Sequence, residues 1–183
     1  MASRDKRRGN TLVEFTLVGI PVIFLLISIF EMARGMWLYH TLAYSVREGT
    51  RFAIVHGNNC NVQPSNCAVT IRQISERIRR TAVGFVPEEM QNLEFVSQSR
   101  GTFTCATLAD CLGEGGTGDT YWPAGPPGST GSDFPDGQQF RWLEIRARYP
   151  FRTAIAMFWP GVGSGQNFGV FMLPASSRDR IQY

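Results

Sequence analysis

Gly9, Asn10 and Glu14 carry the most specific chemistry in this sequence. Glu14 stands near the start of an otherwise uncharged run, GNTLVEFTLVGIPVIFLLISIF over residues 9–30, directly behind the basic cluster Arg4, Lys6, Arg7 and Arg8. An unpaired charge in hydrocarbon costs on the order of a few kcal/mol. A carboxylate at that depth therefore calls for a cation. Hydrolysis after Gly9 would supply one, because the new amine at Asn10 would lie four residues from Glu14, the spacing at which opposite charges meet on a helix. The same cut would remove the basic cluster and leave an almost bare apolar helix.

Other reactive side chains are sparse. The four cysteines fall in two close pairs, Cys60 with Cys67 and Cys105 with Cys111. They read as two local disulfides in an oxidising compartment, one of three connectivities open to four cysteines. Zinc is the rival, with His56 nearby, but neither pair has C-x2-4-C spacing. His40 and His56 stand about four turns apart on one proposed helix and cannot share a site. Asp119, Asp133 and Asp136 lack the D-x-[DN]-x-[DN]-G order of a calcium loop. Arg72, Arg77, Arg79 and Arg80 read as a phosphate or headgroup contact or as a solvated helix face, and the Glu76/Arg80 spacing favours the second. Gly161–Gly165 is glycine-rich without the rest of a phosphate loop, and no hydrolase, metalloprotease or dinucleotide fingerprint occurs. The expectation is no enzyme, no metal and no cofactor.

The elements that must position these residues follow from charge and periodicity. The chain has 183 residues, 43% of them hydrophobic, with 18 basic and 15 acidic side chains. Removing Arg4, Lys6, Arg7, Arg8 and Asp5 leaves 14 basic against 14 acidic. Basicity belongs to the leader, where it fixes topology with the N-terminus cytoplasmic; the remainder offers no nucleic-acid footprint. The apolar run is long enough to span a membrane if Thr11 to Val13 are included, with Pro21 inside it. A cleavable secretory signal is the rival, opposed by Glu14 within the run and by the absence of a small-residue cleavage site before Glu31.

Beyond Glu31 the pattern is amphipathic as far as Gly57. Met32, Met36, Tyr39, Ala43, Val46 and Ala53 form one stripe with Thr50 filling its gap, Glu31, Arg34, Glu48 and Arg51 another face. One helix over residues 10–56 would extend about 70 Å. Gly35 and Gly49 weaken it locally. Thr70-x-x-Gln73 reads as a capping box opening a short helix over 70–83 with Ile71, Ile74, Ile78 and Ala82 inward. Strands are expected over 92–99, 140–151 and 168–173, the last the most buried. The stretch 152–161 reads as a short helix or an apolar hairpin tip. Residues 113–137, with eight glycines and four prolines, form a long loop anchored by Tyr121 and Trp122. The fold class is α+β: a long transmembrane and stem helix packed on a small antiparallel sheet with one additional short helix. The organisation is a leader over 1–9, a helix over 10–57 and a head over 58–183.

In the order basic leader, Gly9, four residues, Glu14, Phe15 and apolar run, the sequence resembles the class III signal of type IV pilins. More closely it resembles the TadE-like minor pilins, or pseudopilins, of Tad (type IVc) pili, because Arg47-Glu48-Gly49-Thr50-Arg51-Phe52-Ala53 matches that family's REGARYA-like stretch. The likeness covers about the first third of the chain. It implies cleavage after Gly9 by a prepilin peptidase, neutralisation of an N-terminal amine by Glu14, and a place among other pilins and pilus assembly proteins. It also implies a bacterial inner-membrane protein, single-pass with a periplasmic head, or a subunit of the fibre. An uncleaved membrane-anchored binding or adhesion module is the alternative, and would retain Met1.

Overall fold

The computed structural model describes residues 5–57, 68–98, 100–126, 137–154 and 170–182, and for residues 5–11 the backbone alone. Arg4, Cys60, Cys67, Asp133, Asp136 and the stretches 58–67 and 155–165 lie outside the described residues. Packing divides the chain into two units, Met1–Met36 with Arg152–Val170, and Trp37–Phe151 with Phe171–Tyr183.

Helix α1, Asp5–Ile54, runs through both units and contains Pro21. It includes an 18-residue window of mean hydropathy 2.5, none of it buried. Within the second unit, α1 contributes Leu38, Leu42, Val46, Ala53 and Ile54 to the core. The later part of the expected stripe is buried, in Val46, Thr50 and Ala53, whereas Met32, Met36 and Tyr39 of its earlier part are exposed; Ser45, outside the expected stripe, is fully buried too. The hydroxyls explain how polar residues serve there. Ser45 Oγ donates to Leu42 O at 2.8 Å and Thr50 Oγ1 to Val46 O at 3.0 Å, so neither buries an unmatched donor.

Helix α2, Ile71–Thr81, is opened by the expected capping box, with Thr70 N donating to Gln73 Oε1 at 3.1 Å and Gln73 N to Thr70 Oγ1 at 3.4 Å. Ile71, Ile74 and Ile78 have no exposed surface, each burial contributing roughly 1.5–3 kcal/mol. Gly49 lets α2 approach α1: a Cβ there would lie 2.5 Å from Ile78 Cγ1. The glycine that costs helix propensity is the one that admits the neighbouring isoleucine.

The sheet is four-stranded and antiparallel in the order β2-β1-β3-β4, built from β1 Gln91–Ser97, β2 Gly101–Thr107, β3 Trp142–Arg152 and β4 Val170–Arg180. Leu93 pairs with Cys105 and Phe95 with both Phe103 and Ile145. In β3, Leu143, Ile145, Ala147 and Tyr149 are buried while Arg146 and Arg148 are exposed, the alternation read from the sequence. Strand β4 departs from expectation. It is longer, and only Ala175 in it is buried; it is the outer strand, and Pro174 suits an edge because it has no donor for a further ladder. Its loose face nonetheless reaches α1, where Thr50 Oγ1 lies 3.4 Å from Ser177 O and Gln182 N donates to Ile54 O at 3.1 Å.

Strand β2 and the five-residue helix α3, Leu108–Leu112, are additions to the expected plan. Cys105 and Cys111 form the expected disulfide, joining β2 to α3 with their Cα atoms 5.6 Å apart. Thr107 caps α3 reciprocally with Asp110, at 2.8 and 3.2 Å. The described part of the glycine-rich loop is tied down. Trp122 is fully buried, with its ring edge-on to Phe95 at 5.6 Å, and its backbone N–H donates to Val69 O at 3.0 Å.

Candidate functional site

The first unit holds Gly9, Asn10 and Glu14, the residues on which the expected processing would rest. Gly9 and Asn10 lie in the first turns of α1 together with Lys6, Arg7 and Arg8. Asn10 and Glu14 are one turn apart, separated by about 6 Å along the axis. Glu14 is exposed, and among the described residues no cation pairs with it. Phe15 beside it is 76% exposed, and every large apolar side chain from Leu12 to Phe30 except Ile27 is about half exposed or more. An apolar surface on this scale does not come from packing on the chain itself; it fits lipid or other helices as its surroundings.

The uncharged polar groups of the run are matched internally. Thr16 Oγ1 donates to Val13 O at 2.9 Å and Ser28 Oγ to Phe24 O at 2.8 Å. These hydroxyls can enter hydrocarbon with partners already made. Glu14 has no such donor among the described side chains. That contrast isolates the carboxylate as the group that needs an outside partner.

At the far end of the run, Glu31 and Arg34 form an i, i+3 pair at 3.1 Å. Within the same unit Glu31 Oε2 also accepts from Ala154 N at 3.0 Å, and Arg34 donates to Arg152 O. The pair expected on an outer face thus fastens the backbone just after β3. No sequence signal connects residues 118 and 123 positions apart, and the contact could be found only in three dimensions.

The stretch Arg47–Ala53 has a structural role in the second unit. Glu48 accepts from Arg51 at 3.0 Å and lies 3.9 Å from Arg77 of α2. Gly49 admits Ile78, Thr50 touches β4, and Ala53 is buried. These residues hold α1 against α2 and the sheet.

The four arginines of α2 border a groove of about 830 Å³ with Phe52, His56 and Tyr121, but each is engaged. Arg79 and Arg80 reach Glu76 at 2.9 and 3.0 Å. Arg72 pairs with Asp119 and donates to Gly113 O at 2.8 Å. Hydrogen bonding from Arg79, aided by Arg80, lowers the Glu76 carboxyl below its ordinary pKa despite an opposing contribution from burial. This is the paired, solvated face. Asp119 accepts from Gly115 N at 2.6 Å as well, so it braces a turn; among the described residues no cluster of histidine, cysteine and acids is arranged to hold a metal. His56 Nδ1 donates to Phe52 O at 2.6 Å, a helical bond, and His40 stacks edge-on with Tyr39.

Comparison with known proteins bears directly on this helix. The family of TadE-like proteins matches residues 9–51, a span that begins at Gly9, contains Glu14 and Phe15 and ends within the Arg47–Ala53 stretch. The N-terminal segment is TadE-like, as the resemblance in its residues indicated. No match is found among curated proteins or among solved structures.

Proposed function

We propose that this chain is a non-enzymatic minor pilin or pseudopilin of a Tad (type IVc) pilus, trimmed after Gly9 by a prepilin peptidase and then taking part in pilus assembly. The observation that carries the reading is the TadE-like match starting at Gly9, on an apolar run whose single acid, Glu14, is exposed and without a partner among the described residues. Cleavage creates the missing cation. The Asn10 amine of this chain or of a neighbouring subunit pairs with Glu14, and pairing within a fibre removes both charges from an apolar packing surface. The membrane anchor holds the subunit, N-terminus inward, until that exchange.

Mass spectrometry of the N-terminus tests the processing step. A mature chain starting at Asn10 supports it; retention of Met1 and the basic cluster supports the uncleaved anchor instead, and a start after residue 30 a secreted head. Replacement of Glu14 by Ala is expected to leave membrane insertion intact and to reduce this subunit in sheared fibres severely. Unchanged fibre content in that variant would remove Glu14 from the mechanism.

A further inference from the structure

We propose that the groove between α1 and β4 binds the acidic turn Pro87–Glu89 of a second copy of this chain, so that second units join head to tail. Groove and turn both belong to the second unit. The groove measures about 610 Å³ and is lined by Arg47 and Arg51 of α1 and by Ser176, Ser177, Arg178 and Asp179 of β4. Three guanidiniums thus line it with one carboxylate, which already accepts from Arg180 N at 2.8 Å. Arg51 is held by Glu48 at 3.0 Å, whereas Arg47 pairs with no acid among the described residues. Arg178 lies over the Trp142 ring, 4.0 Å from its centroid. That contact uses the face of the guanidinium and leaves its N–H edge for a carboxylate. Glu144, close enough to sense Arg178, is itself bound by Arg146 at 2.8 Å.

Charge complementarity selects the occupant. The turn Pro87–Glu89 presents Glu88, exposed, and Glu89, half-buried, and neither has an ion pair among the described residues. Met90, the next residue, accepts from Leu108 N at 3.1 Å, which ties the turn to the junction of β2 and α3, where Asp110 is exposed as well. The strand order places β2 and β4 at the two edges of the sheet, three strand spacings or about 14 Å apart. The screening length is roughly 8 Å at physiological salt, so these acids do not neutralise the groove of their own chain. The arginines of α2 differ, because Glu76 and Asp119 stand beside them. A second copy brings its acids into the first groove, where a carboxylate accepts two N–H bonds from one guanidinium, and its own groove stays open to a third. Contact between two different patches propagates, whereas a two-fold contact closes. Exposed ion pairs are individually weak, so the contact operates between chains held close together, as a shared membrane holds them. It rests on the reading of this chain as a membrane-anchored assembly subunit and names the surfaces through which copies meet.

The test places two differently tagged full-length chains, one with Glu88→Cys and the other with Ser177→Cys, in the same phosphatidylcholine vesicles and joins them with a short bis-maleimide. The unaltered chain sets the background. A mixed 88–177 product several-fold above the 88–88 and 177–177 products is expected, falling several-fold at about 1 M salt, where the screening length is roughly 3 Å. Adding Arg47→Glu to the Ser177→Cys chain is expected to cut the mixed product several-fold, and adding Glu89→Arg to its partner to restore it. A variant that merely misfolds is not rescued by a charge on another chain. A mixed product at background overturns the proposal, as does an excess of either like-with-like product, which would mean a two-fold contact. Insensitivity to salt or to Arg47→Glu, or failure of the rescue, overturns it too. The chains are untrimmed, so a missing mixed product in vesicles that hold the protein refutes the contact and leaves trimming after Gly9, read from the N-terminal mass, untouched.

Discussion

Gly49 shows how one position can be misread from sequence and corrected by its surroundings. In isolation a glycine inside a helix is a loss of roughly 1 kcal/mol relative to alanine. Here the missing Cβ is the space into which Ile78 fits, at 2.5 Å from where that atom would be. Gly49→Val should destabilise the protein by about 1–3 kcal/mol through overpacking of the α1/α2 crossing, and Gly49→Ala by less, because the helix gains propensity as the contact tightens. Chemical denaturation in detergent, following the loss of tertiary signal, measures both. An unchanged midpoint for Gly49→Val would mean the crossing is looser than described. The same stretch carries Glu48, which reaches Arg51 and Arg77, so the residues that give this segment its family likeness are the residues that dock the stem.

At the scale of elements, α2 joins an apolar face to a paired polar one, and the polar face has a pH signature. Glu76, hydrogen-bonded first to Arg79 and also to Arg80, has a lowered pKa. A lowered carboxyl contributes stability that is fully present above its unfolded value, about 4.3, and is lost as pH falls through the folded value. The stability difference between the unaltered chain and Glu76→Gln should therefore hold constant from neutral pH to about 4.5 and shrink below it. It should stay under about 1 kcal/mol because the pair is largely solvated; urea unfolding along a pH series reads it, and a difference growing toward acid would contradict the pairing. Helix α2 was legible because its cap and its isoleucines repeat at helical spacing, and β3 because its residues alternate strictly. Strand β2, GTFTCAT, has no such alternation: only Cys105 is buried in it, and its place comes from pairing with β1 and from the disulfide. The stripe on α1 was legible at Val46, Thr50 and Ala53 but not before them, because the large apolar residues Met32 and Met36 suggested an inward face and are exposed. The face that is buried includes two hydroxyls and a glycine, which hydropathy does not mark. The Glu31/Arg34 contacts with residues 152–154 left no local trace.

For the whole molecule, the proposed function makes residues 1–9 both an address and a restraint. On that reading Arg4, Lys6, Arg7 and Arg8 would keep the N-terminus on the cytoplasmic side, and drawing α1 out of a bilayer into a fibre would drag those charges into hydrocarbon. At about 2.5–3.5 kcal/mol for each cation at the centre of a span, four together oppose extraction by roughly 10 kcal/mol. Cleavage after Gly9 would remove that restraint and leave one amine, which Glu14 would neutralise. On the proposed mechanism, insertion and assembly separate cleanly. Gly9→Leu should block trimming, leave the protein floating with membranes at the unaltered level and nearly abolish its recovery in sheared fibres. The mass of the retained chain identifies the uncut form directly. Recovery of full-length, uncut subunit in fibres at the normal level would show that the leader does not restrain the helix, and would leave the charge exchange between leader, amine and Glu14 without a role in assembly.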